Sequence, residues 1–116
     1  MKQFLAIYTG TPAAMEEFRK LPDDEQARRQ AAGVKGWQAW AAQHGAAIVA
    51  MGGPLGTTKR VNKAGIADIR NAMSAFTVVQ AESHEAAAKM FVGHPHFTIF
   101  PGDGVEVMEV LPIPGA

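Results

Sequence analysis

The pattern of apolar and polar segments in this chain predicts an α+β protein with a ferredoxin-like order, β-α-β-β-α-β. Four strand-like apolar runs are interleaved with two helix-like segments, and a polar, glycine-broken stretch separates the second run from the third. Right-handed crossovers would place both helices on one face of an antiparallel four-stranded sheet. The length of 116 residues is typical of one domain, so a single domain is expected over residues 1–116.

The first strand is predicted at residues 2–8, because the apolar run there ends at the breaker cluster Thr9-Gly10-Thr11-Pro12. Residues 13–21 suggest a short turn or helical piece. The first long helix is predicted to begin at the acidic segment Pro22-Asp23-Asp24-Glu25 and to end near His44, since acidic side chains favour the first turn of a helix.

A buried stripe is predicted on this first long helix from apolar residues spaced three or four apart. They are Ala27, Ala31, Val34, Trp37 and Ala41. Gly33 and Gly36 lie within the same helix, where each glycine costs up to about 1 kcal/mol relative to alanine. They mark either a close approach by a neighbouring element or a soft helix.

The second strand is predicted at residues 46–51 and ends at Gly52-Gly53-Pro54. Residues 55–73 are interpreted as a hairpin or mobile excursion, with short strand pairing at Thr57–Val61. The basic side chains of this stretch, at Lys59, Arg60 and Lys63, are expected to be solvated.

The third strand is predicted at residues 74–80. Ser83 is expected to cap the second helix, which Gly93 ends. A loop is expected at residues 94–102, followed by the fourth strand at residues 105–111.

The strands also predict an assembly. Runs such as Phe4-Leu5-Ala6-Ile7 and Ala47–Met51 are apolar at consecutive positions, which implies burial on both faces of the sheet. Two helices cover only one face, and a large exposed apolar sheet is unusual on a soluble monomer. We therefore expect a homodimer formed through the sheet faces.

The composition excludes several classes of function. Eleven Lys and Arg residues balance eleven Asp and Glu residues, so there is no basic excess to bind nucleic acid or an anionic membrane. Cysteine is absent, which excludes disulfides, zinc–cysteine sites and thiol nucleophiles. No apolar run approaches the roughly 18 residues of a membrane span, and the N-terminal run suits a strand better than a signal peptide. A cytoplasmic protein is expected.

Histidines are the side chains that titrate near neutral pH without help, and His94 is the candidate catalytic residue. It flanks Pro95 together with His96, in the predicted loop after the second helix. His94 is a general acid/base or a ligand-binding group, or alternatively a histidine that caps helix carbonyls. His44 and His84 are expected on the surface. No metal is expected at His94 and His96, because Asp103 alone offers a carboxylate near them in the sequence.

The candidate ligand-binding residues are Trp37, Trp40, Gly53, Ser74 and His96. Trp37 is expected mainly in the core, because it continues the apolar stripe, whereas Trp40 would line a cleft or cover residues 55–73. The segment around Gly53 lacks the Gly-x-Gly-x-x-Gly order of a phosphate loop, so its glycines would allow a tight strand exit or close backbone approach to a ligand.

Several of these motifs, taken in order, resemble the YCII-related family of small dimeric α+β-barrel proteins. The motifs cover nearly the whole domain: Phe4–Tyr8, the helix bearing Trp37 and Trp40, Ala50–Leu55, Phe76–Ser83, Gly93-His94-Pro95-His96 and Val105–Val110. The resemblance implies a ferredoxin-like protomer, a homodimer built on the sheet faces, and a cleft between sheet and helices.

In that family a histidine–aspartate pair is the usual reason for suspecting catalysis, and this chain departs from the pattern. Asn71-Ala72-Met73-Ser74 stands where many members have Asp-Gly-Pro-Phe. Lys35 and Gly36 occupy the approximate position of the family's first-helix histidine. His94-Pro95 stands where some members have Asp-Pro, so the resemblance carries over His94 alone.

Three functions follow as expectations. The first is binding of a small organic molecule near His94, Trp37, Gly53 and Ser74, with His94 moving a proton if the protein is an enzyme. The second is a cofactor-free oxygenase or isomerase, in which Asn71 or His94 would act beside Trp40. The third is a non-enzymatic homodimeric interaction module. No cofactor is expected in any of them.

Overall fold

A computed structural model describes residues 1–115 of the chain. Its strands are β1 (Lys2–Thr9), β2 (Ile48–Pro54), β3 (Thr58–Asn62), β4 (Gly65–Ile69), β5 (Met73–Ala81) and β6 (Gly104–Glu109). Its α-helices are α1 (Pro12–Arg19), α2 (Asp23–Gln43), α3 (His84–Lys89) and α4 (Pro95–Thr98), and a single 3₁₀ turn at Gly45–Ala47 leads into β2.

Four of the strands form an antiparallel sheet in the order β2-β5-β1-β6. The first strand, β1, therefore lies between β5 and β6, which come from the second half of the chain. This order confirms the predicted ferredoxin-like α+β fold with an antiparallel sheet.

Side chains alternate between the two faces of the sheet, as strand geometry requires. On the helix side, Phe4, Ala6 and Tyr8 of β1 are completely buried. They lie opposite Val79, Thr77 and Ala75 of β5. The remaining core side chains are Ala81 at the end of β5 and, from the helices and the segment after α3, Trp40, Ala87 and Phe91.

The other face of the sheet carries apolar side chains that residues 1–115 leave open. Leu5 lies opposite Val78 on one side and Met108 on the other. Ile7 lies opposite Phe76, and each of these five side chains remains partly or largely exposed. We call this surface the open sheet face. It agrees with the sequence argument that these strands are apolar on both sides.

Two helices account for the segment between β1 and β2. The stretch expected to be a turn or helical piece is α1, whose start is capped where the Thr11 side chain accepts a hydrogen bond from the Ala14 amide. The long helix α2 follows with three acidic residues in its first turn. It ends at Gln43, close to the predicted end.

The predicted buried stripe on α2 is wrong in its first half. Ala27 and Ala31 are exposed, and Val34 is 47% exposed. The buried face instead runs through Gly33 and Trp40. The cause is the segment after α3, because the Phe100 ring lies where a Cβ on Gly33 would be. Of the two explanations for this glycine, the structure therefore supports close approach by a neighbouring element.

The expected loop at residues 94–102 contains the short helix α4. Pro95 occupies its first turn, where the missing proline N–H costs nothing. His94 is the N-cap residue of this helix, so it begins a helix rather than ending one.

The excursion at residues 55–73 is a hairpin, as predicted, in which β3 and β4 form a separate two-stranded sheet. Val61 and Ile66 face each other near its tip and are 74% and 72% exposed. The chain measures 54 × 43 × 18 Å along its principal axes, so it is broad and thin. No helix among residues 1–115 is both long and apolar enough to cross a membrane.

Candidate active or binding site

An apolar cleft of about 400 Å³ lies between α2 and the paired strands β2 and β5. Its walls are Val34, Trp37, Gln38, Met51, Gly52, Gly53, Pro54, Ala75, Phe76 and Phe100. We call it the Trp37 cleft. Its aromatic residues are Trp37, Phe76 and Phe100, and Gln38 is the one wall residue with a polar amide side chain. Such a cleft suits a small, mostly apolar molecule.

An irregularity in β2 shapes one wall of the cleft. The β2–β5 register shifts between Ala50 and Gly53. Within that shift Gly52 has a φ of +69°, and a Cβ there would overlap the Phe76 carbonyl oxygen. Only glycine fits this backbone without strain. At Gly53 a Cβ would meet open space, so the wall there is bare backbone.

Behind Trp37 lies a cluster of buried aromatic rings centred on His94. The His94 ring centroid is 4.6 Å from that of Trp37, in an edge-to-face arrangement at 88°. It is 4.8 Å from Trp40 and 5.1 Å from Tyr8. His94 itself is 1% exposed and is not part of the cleft wall. Trp37 therefore lies between the candidate catalytic histidine and the cleft.

The hydrogen bonds of His94 define its tautomer. Nδ1 accepts a hydrogen bond from the His96 backbone amide at 3.0 Å, so the ring proton of the neutral imidazole must be on Nε2. Nε2 is buried and has no hydrogen-bond partner among residues 1–115. Burial, together with the nearby His96 and His44, lowers the pKa of His94 to about 4. At neutral pH this ring is an uncharged hydrogen-bond donor.

His96 is buried in a different role. Its Nε2 donates a hydrogen bond to the Thr9 carbonyl oxygen at 2.6 Å, which ties α4 to the end of β1. A Cβ on Gly102 would collide with this imidazole. Because His96 is not part of the cleft wall, the structure does not place this predicted ligand-binding residue at the cleft.

The two tryptophans exchange the roles expected for them. Trp40 is 6% exposed and belongs to the core, where its indole N–H donates to the Met90 carbonyl oxygen at 2.7 Å. Trp37 is half-buried and forms part of the cleft wall. The tryptophan at this cleft is therefore Trp37 and not Trp40.

Ser74 lies beside the cleft rather than in it. Its hydroxyl donates to the Tyr8 carbonyl oxygen at 2.9 Å, so it joins β5 to β1. Asn71 is farther away, in the hairpin region, where its side-chain amide donates to the Thr58 hydroxyl oxygen at 3.1 Å. Neither residue is part of the Trp37 cleft.

A buried hydrogen-bond chain links the aromatic cluster to the cleft wall. The Tyr8 hydroxyl donates to the Thr77 hydroxyl oxygen at 3.0 Å, and Thr77 donates in turn to the Met51 carbonyl oxygen at 3.0 Å. Burial raises the pKa of Tyr8 to about 12, so this hydroxyl stays protonated. Tyr8 was not predicted as part of the site, although strand alternation would have placed it on the same face as Phe4.

A larger groove of about 650 Å³ lies at the base of the β3–β4 hairpin. Its walls include Lys59 and Asp68, which form an exposed ion pair at 2.7 Å, together with Arg70 and Asn71. These polar groups are solvated or paired with each other. The smaller Trp37 cleft, with apolar walls and an unpartnered buried nitrogen behind one of them, is the better candidate site. Among residues 1–115, no three histidine or carboxylate side chains cluster as metal ligands would.

The sheet order and the helices on one face define a ferredoxin-like α+β fold. One solved structure that shares this fold is 5-chloro-2-hydroxyhydroquinone dehydrochlorinase (TftG) from Burkholderia phenoliruptrix AC1100, in complex with 2,5-dihydroxybenzoquinone. The two chains are 18% identical, the match covers 91% of this chain and 90% of that one, and the TM-score is 0.52. No family model matches this chain, and no curated protein matches its sequence.

Proposed function

We propose that this protein binds a small, planar and mainly apolar organic molecule in the Trp37 cleft. The observation that carries the proposal is the composition of the walls, where the aromatic residues Trp37 and Phe100 and several apolar residues surround a volume of about 400 Å³. Aromatic walls favour planar ligands, because flat rings stack or pack edge to face with little loss of contact. The structural neighbour TftG holds a planar quinone in its own structure, which agrees with this class of ligand.

Burial of apolar surface would supply the affinity. Each square ångström of apolar surface removed from water contributes about 25 cal/mol, before the cost of immobilising the ligand. The Gln38 amide and the backbone near Gly53 are the polar groups that can orient a ligand at the walls. A strongly charged molecule would lose its hydration without an opposite charge at these walls, so neutral ligands are favoured.

For His94 the geometry supports binding better than proton abstraction. Its Nδ1 lone pair is already used by the His96 amide, and a pKa of about 4 makes the ring a weak base. The alternative of an oxygenase or isomerase with Asn71 beside Trp40 has less support, because Asn71 lies at the hairpin groove and Trp40 in the core.

The proposal is tested with α-methylstyrene, a planar molecule that contains no oxygen. The ¹⁵N-labelled protein has two indole N–H signals, from Trp37 and Trp40. We expect saturable shifts of the Trp37 signal and a smaller response from Trp40, whose N–H is bound to the Met90 carbonyl.

Two glycine variants make the test specific. At both Gly53 and Gly45 a Cβ would meet open space, so a side chain can begin at either position without a clash at Cβ. Gly53→Leu fills the Trp37 cleft and should weaken binding at least about tenfold. Gly45→Leu lies outside the cleft and should leave binding unchanged. Equal affinity in the two variants, or no saturable shift in the wild type, would contradict the proposal.

We further propose that two copies of the chain pair through the open sheet face. The support is the apolar character of this face in three adjacent strands, at Leu5, Val78 and Met108. The fold is also that of proteins that form dimeric barrels. A second copy would remove these side chains from water.

A further inference from the structure

The buried Nε2–H of His94 is a polar group that the fold itself does not use. Nδ1 alone caps α4, and an asparagine at this position would offer an equivalent capping acceptor. The second nitrogen, Nε2, is buried and has no acceptor among residues 1–115, and His94 as a whole is 1% exposed. A buried donor without a partner lowers the stability of the folded state. A group outside the chain could accept this hydrogen bond.

Trp37 lies between the His94 ring and the Trp37 cleft. The aromatic rings around His94 include Tyr8, Trp37 and Trp40, and of these Trp37 also forms part of the cleft wall. Its half-buried side chain packs on His94 through a ring edge, without a hydrogen bond from His94 to hold it. Trp37 is thus the one of these three rings that touches both the imidazole and the cleft.

We propose that the ligand of the Trp37 cleft is a planar ring bearing a carbonyl or phenolic oxygen, and that His94 donates a hydrogen bond from Nε2 to this oxygen when Trp37 moves aside. This inference rests on the proposed function and adds the chemical class of the ligand. The donor is a neutral N–H, so it discriminates in favour of an acceptor oxygen without requiring the ligand to be charged. A site that donates a buried hydrogen bond rejects analogues that lack the acceptor.

The test compares acetophenone with α-methylstyrene, which has the same shape but carries a methylene group in place of the carbonyl oxygen. One hydrogen bond to a neutral group should make acetophenone bind about 3- to 10-fold more tightly to the wild-type protein. In His94→Asn, which keeps a capping acceptor for α4, this advantage should disappear while α-methylstyrene binds as before. In Trp37→Phe, which has a smaller ring in front of His94, the advantage should increase.

A spectroscopic measurement on the wild type keeps the test independent of how well the variant folds. The His94 Nε2–H proton should move downfield when acetophenone binds and should not do so with α-methylstyrene. An unchanged affinity ratio in His94→Asn, or the same Nε2–H response to both molecules, would overturn the role of His94 while leaving cleft binding intact. If neither molecule binds, the proposed function fails as well.

Discussion

Burial and a helix cap together determine the state of the His94 ring. The ring is nearly inaccessible to water, and the charged form has no carboxylate partner in its surroundings of aromatic rings. Its pKa is therefore lowered to about 4, mainly by burial. Helix capping is one of the alternatives that the sequence predicts for His94, but at the end of the second helix, whereas the structure uses Nδ1 to cap the start of α4. That cap depends on Pro95 beginning a helix in a segment expected to be a loop.

The lowered pKa predicts how the free energy of unfolding depends on pH. The unfolded chain binds a proton at His94 near pH 6.5, whereas the folded chain does so near pH 4. Between these values the unfolded state holds the extra proton, so stability falls as the pH drops from 6.5 toward 4 and then levels off. Urea unfolding from pH 7.5 to 4 should show the stability advantage of wild type over His94→Asn shrinking across this window.

The comparison with His94→Asn cancels the titration of groups common to both proteins, including Glu25, whose pKa is lowered by Arg29 and Arg28. An NMR titration of the His94 ring gives the midpoint directly, and we expect about 4. Parallel stability curves for the two proteins, or a midpoint near 6.5, would show that the folded protein readily accepts the charged ring.

At the level of elements, α2 shows why its buried face could not be read from its own sequence. Alanine is common on both faces of a helix, so Ala27 and Ala31 carried little information about burial. The element that selects the face is the segment around Phe100, which is remote in sequence and has no periodic pattern. Gly33 indicated the buried face of α2 better than the alanines did, because close approach by a neighbouring element was one of the two explanations predicted for the glycines.

Gly33→Ala tests this packing. Alanine favours a helix by about 1 kcal/mol over glycine, but its Cβ would collide with the Phe100 ring. We expect the substitution to lower the free energy of unfolding by about 1 kcal/mol or more in the wild-type background. In a Phe100→Ala background the collision is removed, and the same substitution should be stabilising by up to about 1 kcal/mol. Thermal or urea unfolding of the four proteins measures the difference.

The sign of the effect is the deciding result of that cycle. If Gly33→Ala has the same effect with and without the Phe100 ring, then the ring does not hold its position against α2. Such a result would also mean that Phe100 does not hold its place in the wall of the Trp37 cleft.

For the whole molecule, the thin dimension of 18 Å corresponds to one sheet layer and one helix layer. The sequence predicted this architecture well, because the β-α-β-β-α-β order with right-handed crossovers places the helices on one face of the sheet. The position of the cleft was harder to predict. It depends on the irregular pairing of β2 around Gly52, and turn or bulge geometry of this kind leaves only a glycine as its signal.

The open sheet face gives a prediction about assembly. Light scattering at micromolar concentrations should give a mass of twice the 12.3 kDa chain. Val78→Glu places a charge in the centre of the open sheet face and should produce the mass of one chain. Val92→Glu, at a position 80% exposed on the helix side, should remain dimeric. A monomeric wild type, or a dimeric Val78→Glu protein, would contradict pairing through this face.

The central position of β1 has a consequence for how the chain is made. Translation produces residues 2–9 before their partners, which are residues 73–81 and 104–109. The most buried strand of the sheet must therefore wait, unpaired and apolar, while two helices and a hairpin are synthesised after it. The sheet is completed only after residue 109 has left the ribosome, and long-range pairing of this kind is slow. During that interval the nascent chain exposes an apolar, unpaired strand, which is the kind of segment that aggregates before folding is complete.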